Sequence, residues 1–278
     1  ADYAPFYLSR ASLKEGESRL ADLLKAEQIE MSWRTGFALI NHYVANNQWQ
    51  KAVETGKKYT KKYPSNYYIG LKYAKALCET GQYQPCISLL SRMQVLPNEG
   101  SYAGRAVYRE ANLYRAMEQL SHKNYKQVVK SVETSKEWPE NLGVGKPYDN
   151  MIDNRLEDYL EAKAAAGQGD SRKTSALLAA VADYTISRSH FESGNLLSAL
   201  ALRESGKVQE ADHMVAAWST DFPENRVVQW CTAIYRGEKE KAVGMLQSRN
   251  DQTNTTPWEA SFRDSNFDLI VRLFSTEQ

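Results

Sequence analysis

WRTGFALINHYVANNQWQKAVETGKKYTKKYP, residues 33–64, is the stretch on which the fold turns. Ser32 stands where it can cap a helix running from Trp33 to about Asn46, because its side-chain oxygen can accept from an early backbone N–H. Phe37, Ile40 and Tyr43 recur along that helix at helical spacing, and Asn46-Asn47 breaks it. A partner helix follows from about Gln50 to Tyr63. Pro64 ends it, since proline lacks an N–H and restrains the residue before it. Residues 67–97, YYIGLKYAKALCETGQYQPCISLLSRMQVLP, repeat the pattern: a helix from Tyr67 to about Thr80, Gly81 at the turn, and a helix from Tyr83 to about Met93, closing near Pro97. Pro85 lies in a first turn, where its missing N–H has no helical partner to lose. Leu39, Tyr43, Ala52 and Pro64 in the first hairpin, and Ala74, Gly81, Tyr83 and Cys86 in the second, form a register with a period of about 34 residues, that of tetratricopeptide units.

The register extends in both directions. Upstream, Pro5 can open a helix carrying Phe6, Leu8 and Leu13, with Gly16 as the turn before Leu20, Leu23 and Leu24. Downstream, a fourth hairpin has an extended first helix, about Ser101 to Ser121, then Asn124-Tyr125 and a helix ending before Pro139. The longest interruption runs from Pro139 to about Asp153 and holds Gly143, Gly145 and Pro147. Leu156, Tyr159, Leu160 and Ala164 restart the helical period, Gly169-Asp170 makes a turn, and Ala176, Leu177, Ala180 and Val181 supply the facing helix. Leu196, Ala199, Leu202, Gly206, Ala211 and Pro223 mark a sixth hairpin. A shortened seventh has Trp230, Ala233, Gly237, Ala242, Val243 and Leu246, and Ser265 is placed to cap a terminal helix from about Asn266 to Phe274. Ala52, Ala74, Ala199, Ala211 and Ala242 are small enough to let helices approach to about 8–10 Å. The expectation is an all-α chain: a right-handed superhelical solenoid of tetratricopeptide-like hairpins, a single domain over residues 1–278 with a loop at about 139–153 and a capping helix at its C-terminal end.

Composition narrows the function. Lys plus Arg number 35 against 34 for Asp plus Glu, a formal net charge of +1, so no global basic field attracts nucleic acid or an anionic membrane. The longest apolar runs, such as Ala176 to Ala182, fall far short of the ~18–20 residues of a spanning helix, which argues against membrane insertion. The chain opens at Ala1 without an initiator Met, as a mature form or a piece of a longer protein would. Cys78, Cys86 and Cys231 are an odd set without metal-type spacing, each at a helical position suited to a small apolar residue. That usage favours a reducing, cytoplasmic compartment, with the periplasm as the alternative. His42, His122, His190 and His213 are scattered, no Ser, His and acid arrangement is legible, and Glu157, Asp158 and Glu161 read as a polar helix face. No catalytic residue, metal or cofactor is expected.

In stacked hairpins of this kind the first helix of each pair lines the concave wall, so its outward residues form the default contact surface. Arg34, Phe37, Asn41, Tyr68, Leu71 and Lys75 occupy those positions on two hairpins, and Arg105, Arg109 and Asn112 extend the row on the next. Arg offers a planar fork for a carboxylate or phosphate, Asn both donor and acceptor, and Tyr a flat face with a hydroxyl. A Lys and Asn clamp for a peptide's terminal carboxylate does not fit, because Phe37 stands where its first Lys belongs. Lys57, Lys58, Lys61 and Lys62 read as a solvated outer face. Gly-Val-Gly-Lys at 143–146 is no phosphate loop, since Pro147 replaces the required Ser or Thr and no strand precedes it. That loop, with Asn141, Lys146 and Tyr148, is either a rigid connector or a cover that adds ligand contacts.

The segments Trp33-Arg34-Thr35-Gly36-Phe37-Ala38-Leu39-Ile40-Asn41, Gly70-Leu71-Lys72-Tyr73-Ala74-Lys75-Ala76-Leu77 and Asn141-Leu142-Gly143-Val144-Gly145-Lys146-Pro147-Tyr148 resemble the C-terminal repeat region of a family of large bacterial proteins. In that family a β-rich, mutarotase-like domain of unknown function precedes tetratricopeptide repeats. The resemblance implies that this chain is the repeat part alone and that its parent acts in carbohydrate utilisation; it carries over no catalytic residue. The function expected is a non-catalytic interaction or scaffold module that binds a protein or peptide segment, or its parent's own N-terminal domain. Ligand-binding candidates are Arg34, Asn41, Tyr68, Lys75, Arg109, Asn112, Asn141, Lys146 and Tyr148. The alternative is a glycan-binding or accessory region of a carbohydrate-active protein.

Overall fold

The computed structural model describes residues 3–97, 102–186, 190–249, 264 and 266–276. Among these, fifteen α-helices and no strands are present. The chain divides into two compact units, one comprising Ala1–Asn112 with Glu137–Lys146, the other Leu113–Lys136 with Pro147–Gln278. The first holds α1 (Ala4–Ala11), α2 (Gly16–Ile29), α3 (Trp33–Ala45), α4 (Trp49–Lys62), α5 (Tyr67–Glu79), α6 (Tyr83–Leu90) and the start of α7 (Ala103–Ser121). The second holds the remainder of α7, then α8 (Tyr125–Ser135), α9 (Arg155–Gly167), α10 (Ser171–Ile186), α11 (Gly194–Glu204), α12 (Val208–Asp221), α13 (Arg226–Tyr235), α14 (Lys239–Arg249) and α15 (Phe267–Thr276).

Within each unit consecutive helices pack on one another, α1 through α6 in the first and α8 through α14 in the second. Alternate helices also touch, α3 with α5 in the first unit, and α9 with α11 and α11 with α13 in the second. Hairpin laid against hairpin in this way is the packing of a helical solenoid. The hairpin turns share one chemistry. Asn47, Gly81, Lys123, Gly169, Gly206 and Gly237 all have φ between 54° and 82°. The N–H of the residue after each donates to a carbonyl five residues back: Gln48 to Tyr43, Gln82 to Leu77, Asn124 to Gln119, Asp170 to Ala165, Lys207 to Leu202 and Glu238 to Ala233, at 2.8–3.0 Å. This left-handed closure satisfies a carbonyl that the helix end leaves open and turns the chain back on itself. Glycine meets its conformational demand without strain; Asn47 and Lys123 meet it at some cost.

The small-residue register packs as the spacing predicts. Ala52, Ala74, Ala199 and Ala211 are fully buried, and Ala242 is nearly so. Gly36 lies against the ring of Tyr59, Gly56 against Tyr73 and Gly167 against Tyr125, each so close that a Cβ would overlap the ring. Caps stand where polar side chains precede a helix: Ser32 accepts from Thr35 N, Asn66 from Ile69 N, and Asn225 from Val227 N and Val228 N. At the C-terminal end α15 buries Phe267, Leu269, Ile270 and Leu273. Ser265, expected to cap it, and Ser101, expected to start α7, lie outside the described residues.

Two readings of local register need correction. In α10 the inward face is Leu178, Val181, Ala182 and Thr185, whereas Ala176 and Ala180 are exposed. The run from Ala176 to Ala182 has no polar residue to set its phase, so the periodicity was ambiguous by about half a turn. In α9 Glu157 is wholly buried and Glu161 nearly so, rather than forming a solvated face. Lys136, just past the end of α8, reaches Asp158 at 2.7 Å and Glu161 at 3.4 Å, and Lys173 of α10 reaches Glu161 at 2.7 Å, so cations from both sides pair with this acidic stretch.

Candidate functional site

In the first unit the two helix caps decide what is displayed. Ser32 and Asn66 fix where α3 and α5 begin, and the residues just after them are Trp33-Arg34 and Tyr67-Tyr68. Because α3 and α5 pack together, the two aromatic starts meet. Tyr68 stacks on Trp33, with centroids 6.2 Å apart and planes at 18°, and on Tyr67 at 4.3 Å and 28°; it meets Phe37 edge-on at 6.2 Å. Arg34 lies over the Trp33 ring at 4.6 Å. Tyr68 is 48% exposed, Arg34 is exposed, and Trp33, Phe37 and Tyr67 are half-buried. Four rings and a guanidinium thus form one solvent-facing platform that offers flat apolar area, a phenol and a cation.

Further along the same helices, Lys75 of α5 is 2.6 Å from Glu79 and 2.7 Å from Glu110 of α7. Partial burial would lower its pKa, but Glu110 and Glu79 outweigh that and raise it, so the ammonium is fixed and compensated. Asn41 and Arg109 are half-buried. Asn112 is buried and donates through Nδ2 to the Tyr108 carbonyl at 2.9 Å. Tyr108 in turn donates to Glu137 at 3.0 Å; burial and this carboxylate push the phenol up to about 12. Arg105, also buried, lies 4.5 Å over the Trp138 ring.

The first half of the interrupting loop is a clasp. Asn141 donates through Nδ2 to the carbonyls of Leu90 and Met93, at 2.9 and 2.7 Å, and its own carbonyl accepts from Val95 N at 2.8 Å. It thereby satisfies backbone groups at and just beyond the end of α6. Leu142 is fully buried beside Gly104. Gly143 has φ 74°, and a Cβ there would meet the Val95 carbonyl oxygen at 2.9 Å. Its N–H is already given to Glu140 O at 3.0 Å, so it is not a free anion donor. Lys146 is exposed, and so, in the second unit, is Tyr148.

The second unit is organised around Arg155, which is 2% exposed. Its guanidinium donates to both carboxylate oxygens of Asp153 (3.0 and 2.8 Å), to Thr185 and Asn195 (2.7 Å each) and to Glu192 (2.7 Å), and lies 4.6 Å from the Tyr184 ring centre. Gly194 makes room for it, since a Cβ there would collide with the guanidinium. Asn266 donates to Asp153 at 3.0 Å, tying the entry of α15 to the same hub. So many internal partners mark a structural network. Among the described residues no group of His, Cys, Asp and Glu could hold a metal ion, and no helix is long and apolar enough to cross a membrane.

Of the residues singled out from sequence, Arg34, Tyr68, Lys146 and Tyr148 are open to solvent. Arg34 and Tyr68 are brought together, with Phe37; Lys75, Asn112 and Asn141 are engaged internally. Trp33 and Tyr67 were missed, although an aromatic directly after a capping residue, in two adjacent first helices, was a visible signal. Neither a scan against protein-family models nor a comparison with curated protein sequences gives a match.

Proposed function

We infer that the chain is a tetratricopeptide-like, right-handed solenoid serving as a non-catalytic interaction module, and that the first unit binds a protein segment through its α3–α5 face. The platform of Trp33, Phe37, Tyr67 and Tyr68 beside Arg34 carries this reading. Solvent-accessible aromatics next to an arginine are the residue types that dominate binding energy at protein interfaces. A segment offering an apolar anchor with an acidic neighbour fits the rings and the guanidinium together. The partner class includes the N-terminal domain that the family resemblance implies for a longer parent.

Selecting binders from a random peptide display library, and measuring the selected peptides on wild type, Tyr68→Ala and Arg34→Ala, tests the assignment. Each substitution is expected to weaken binding by about tenfold, roughly 1.4 kcal/mol. Equal affinities across the three proteins refute it. The stacked, partly exposed rings also suit the apolar face of a sugar, which supports the glycan alternative. In that case a glycan array gives signals that Trp33→Ala abolishes, and peptide selection returns nothing that depends on Tyr68.

A further inference from the structure

A cavity of about 330 Å³ lies in the second unit between α11, α13, α14 and α15. Its size is at the lower end of the range for small-molecule sites. The lining is of two kinds. Trp230, Leu246 and Phe274 give it an apolar body, while Arg203, Arg236 and Lys239 bring three cations, and among the described residues no Asp or Glu lines it. Arg203 is held in place, donating to the Tyr235 carbonyl at 2.8 Å with its guanidinium 4.7 Å from that ring's centre. Arg236 and Lys239 flank the turn glycine Gly237 and are exposed. Neither forms an ion pair among the described residues; the nearby Glu238 is paired with Lys241 at 2.7 Å.

A second mark sits at the apolar end. Trp230 is 1% exposed, yet its indole N–H has no hydrogen-bond acceptor among the described residues. With no acceptor fixed on it, that N–H is a sensitive reporter of whatever packs against the ring. Its ring is held edge-on by Phe267 at 5.3 Å and Phe274 at 6.4 Å.

We propose that this cavity binds a small amphipathic carboxylate, its apolar body against Trp230, Leu246 and Phe274 and its carboxylate on Arg236 and Lys239. A carboxylate supplies the negative charge that the described lining lacks, and its hydrocarbon part covers apolar surface that an inorganic anion would leave wet. The site is independent of the α3–α5 platform: its residues belong to the other unit, and it stands if that platform binds nothing.

The test uses 3-phenylpropionate as probe, with 3-phenylpropan-1-ol supplying the body alone and inorganic phosphate an anion alone. Binding is followed by calorimetry and by the indole N–H resonance of Trp230 in nitrogen-15 spectra of the full chain. Phenylpropionate is expected to bind and to move that resonance, and the alcohol and phosphate to bind at least about tenfold more weakly. Arg236→Gln combined with Lys239→Gln, both exposed and therefore neutral for folding, should weaken phenylpropionate about tenfold. Leu246→Trp should occupy the cavity and abolish binding. The proposal is overturned by no phenylpropionate binding, by equal affinity for the alcohol or for phosphate, or by unchanged affinity in the doubly substituted protein.

Discussion

Gly143 and Gly81 have the same backbone conformation, φ 74°, but different surroundings. Open space lies around Gly81, whereas a Cβ on Gly143 runs into the Val95 carbonyl, a backbone atom that cannot swing away. Gly81→Ala should therefore cost only the strain of a left-handed alanine, about 1 kcal/mol, and Gly143→Ala about 2–4 kcal/mol. Urea titrations of both variants check this; equal losses would mean that the loop yields around Gly143. At the same scale the candidate face shows what single residues conceal. Arg34 and Tyr68 are exposed to solvent. Asn112 and Asn141 spend their amides on backbone carbonyls. An asparagine offers the same donors to a ligand or to a neighbouring helix end, and only the fold distinguishes the two uses.

Helices were legible where something punctuated them. Gly81, Gly169, Gly206 and Gly237 mark turns because glycine is the natural residue for a left-handed closure, and the Asn46-Asn47 turn was readable for a related reason. The fourth hairpin closes instead on Lys123, which carries no such signal. The Arg155 hub was illegible because its partners, Asp153, Thr185, and Glu192 with Asn195, come from three stretches that no local period connects. The small positions do follow local rules. Ala211 of α12 is fully buried, so Ala211→Trp should overpack the hairpin and cost more than ~1–3 kcal/mol. An unchanged thermal midpoint would contradict that packing.

With a formal net charge of +1, the molecule as a whole gains or loses little from self-repulsion near neutrality, and its response to acid rests on particular carboxylates. Asp22 of α2 accepts from Arg10 at 2.8 Å and is 2.8 Å from Lys14, and hydrogen bonds from these two cations hold it well below the usual carboxylate range. A carboxylate with a lowered folded-state pKa stabilises fully above its unfolded value of about 3.9, and that contribution disappears as pH falls through the folded value. The thermal midpoint of the wild type should thus exceed that of Asp22→Asn near neutrality, and the gap should narrow steadily as pH falls from about 4 toward 2. Scanning calorimetry of the two proteins across that interval measures it. A gap that stayed constant would remove Asp22 from the acid response.

The three cysteines complete the picture at this scale. Cys78 and Cys86 are buried in the first unit and Cys231 in the second. Burial raises the thiols of Cys78 and Cys231, for Cys78 together with a hydrogen bond to Cys86 that is the larger influence. Alkylating reagents should therefore reach them only when the surrounding helices open. The native chain consequently carries its own clock for each unit. Pulse labelling followed by peptide mass analysis would time the opening of α5 and α6 separately from that of α13, with no reporter introduced.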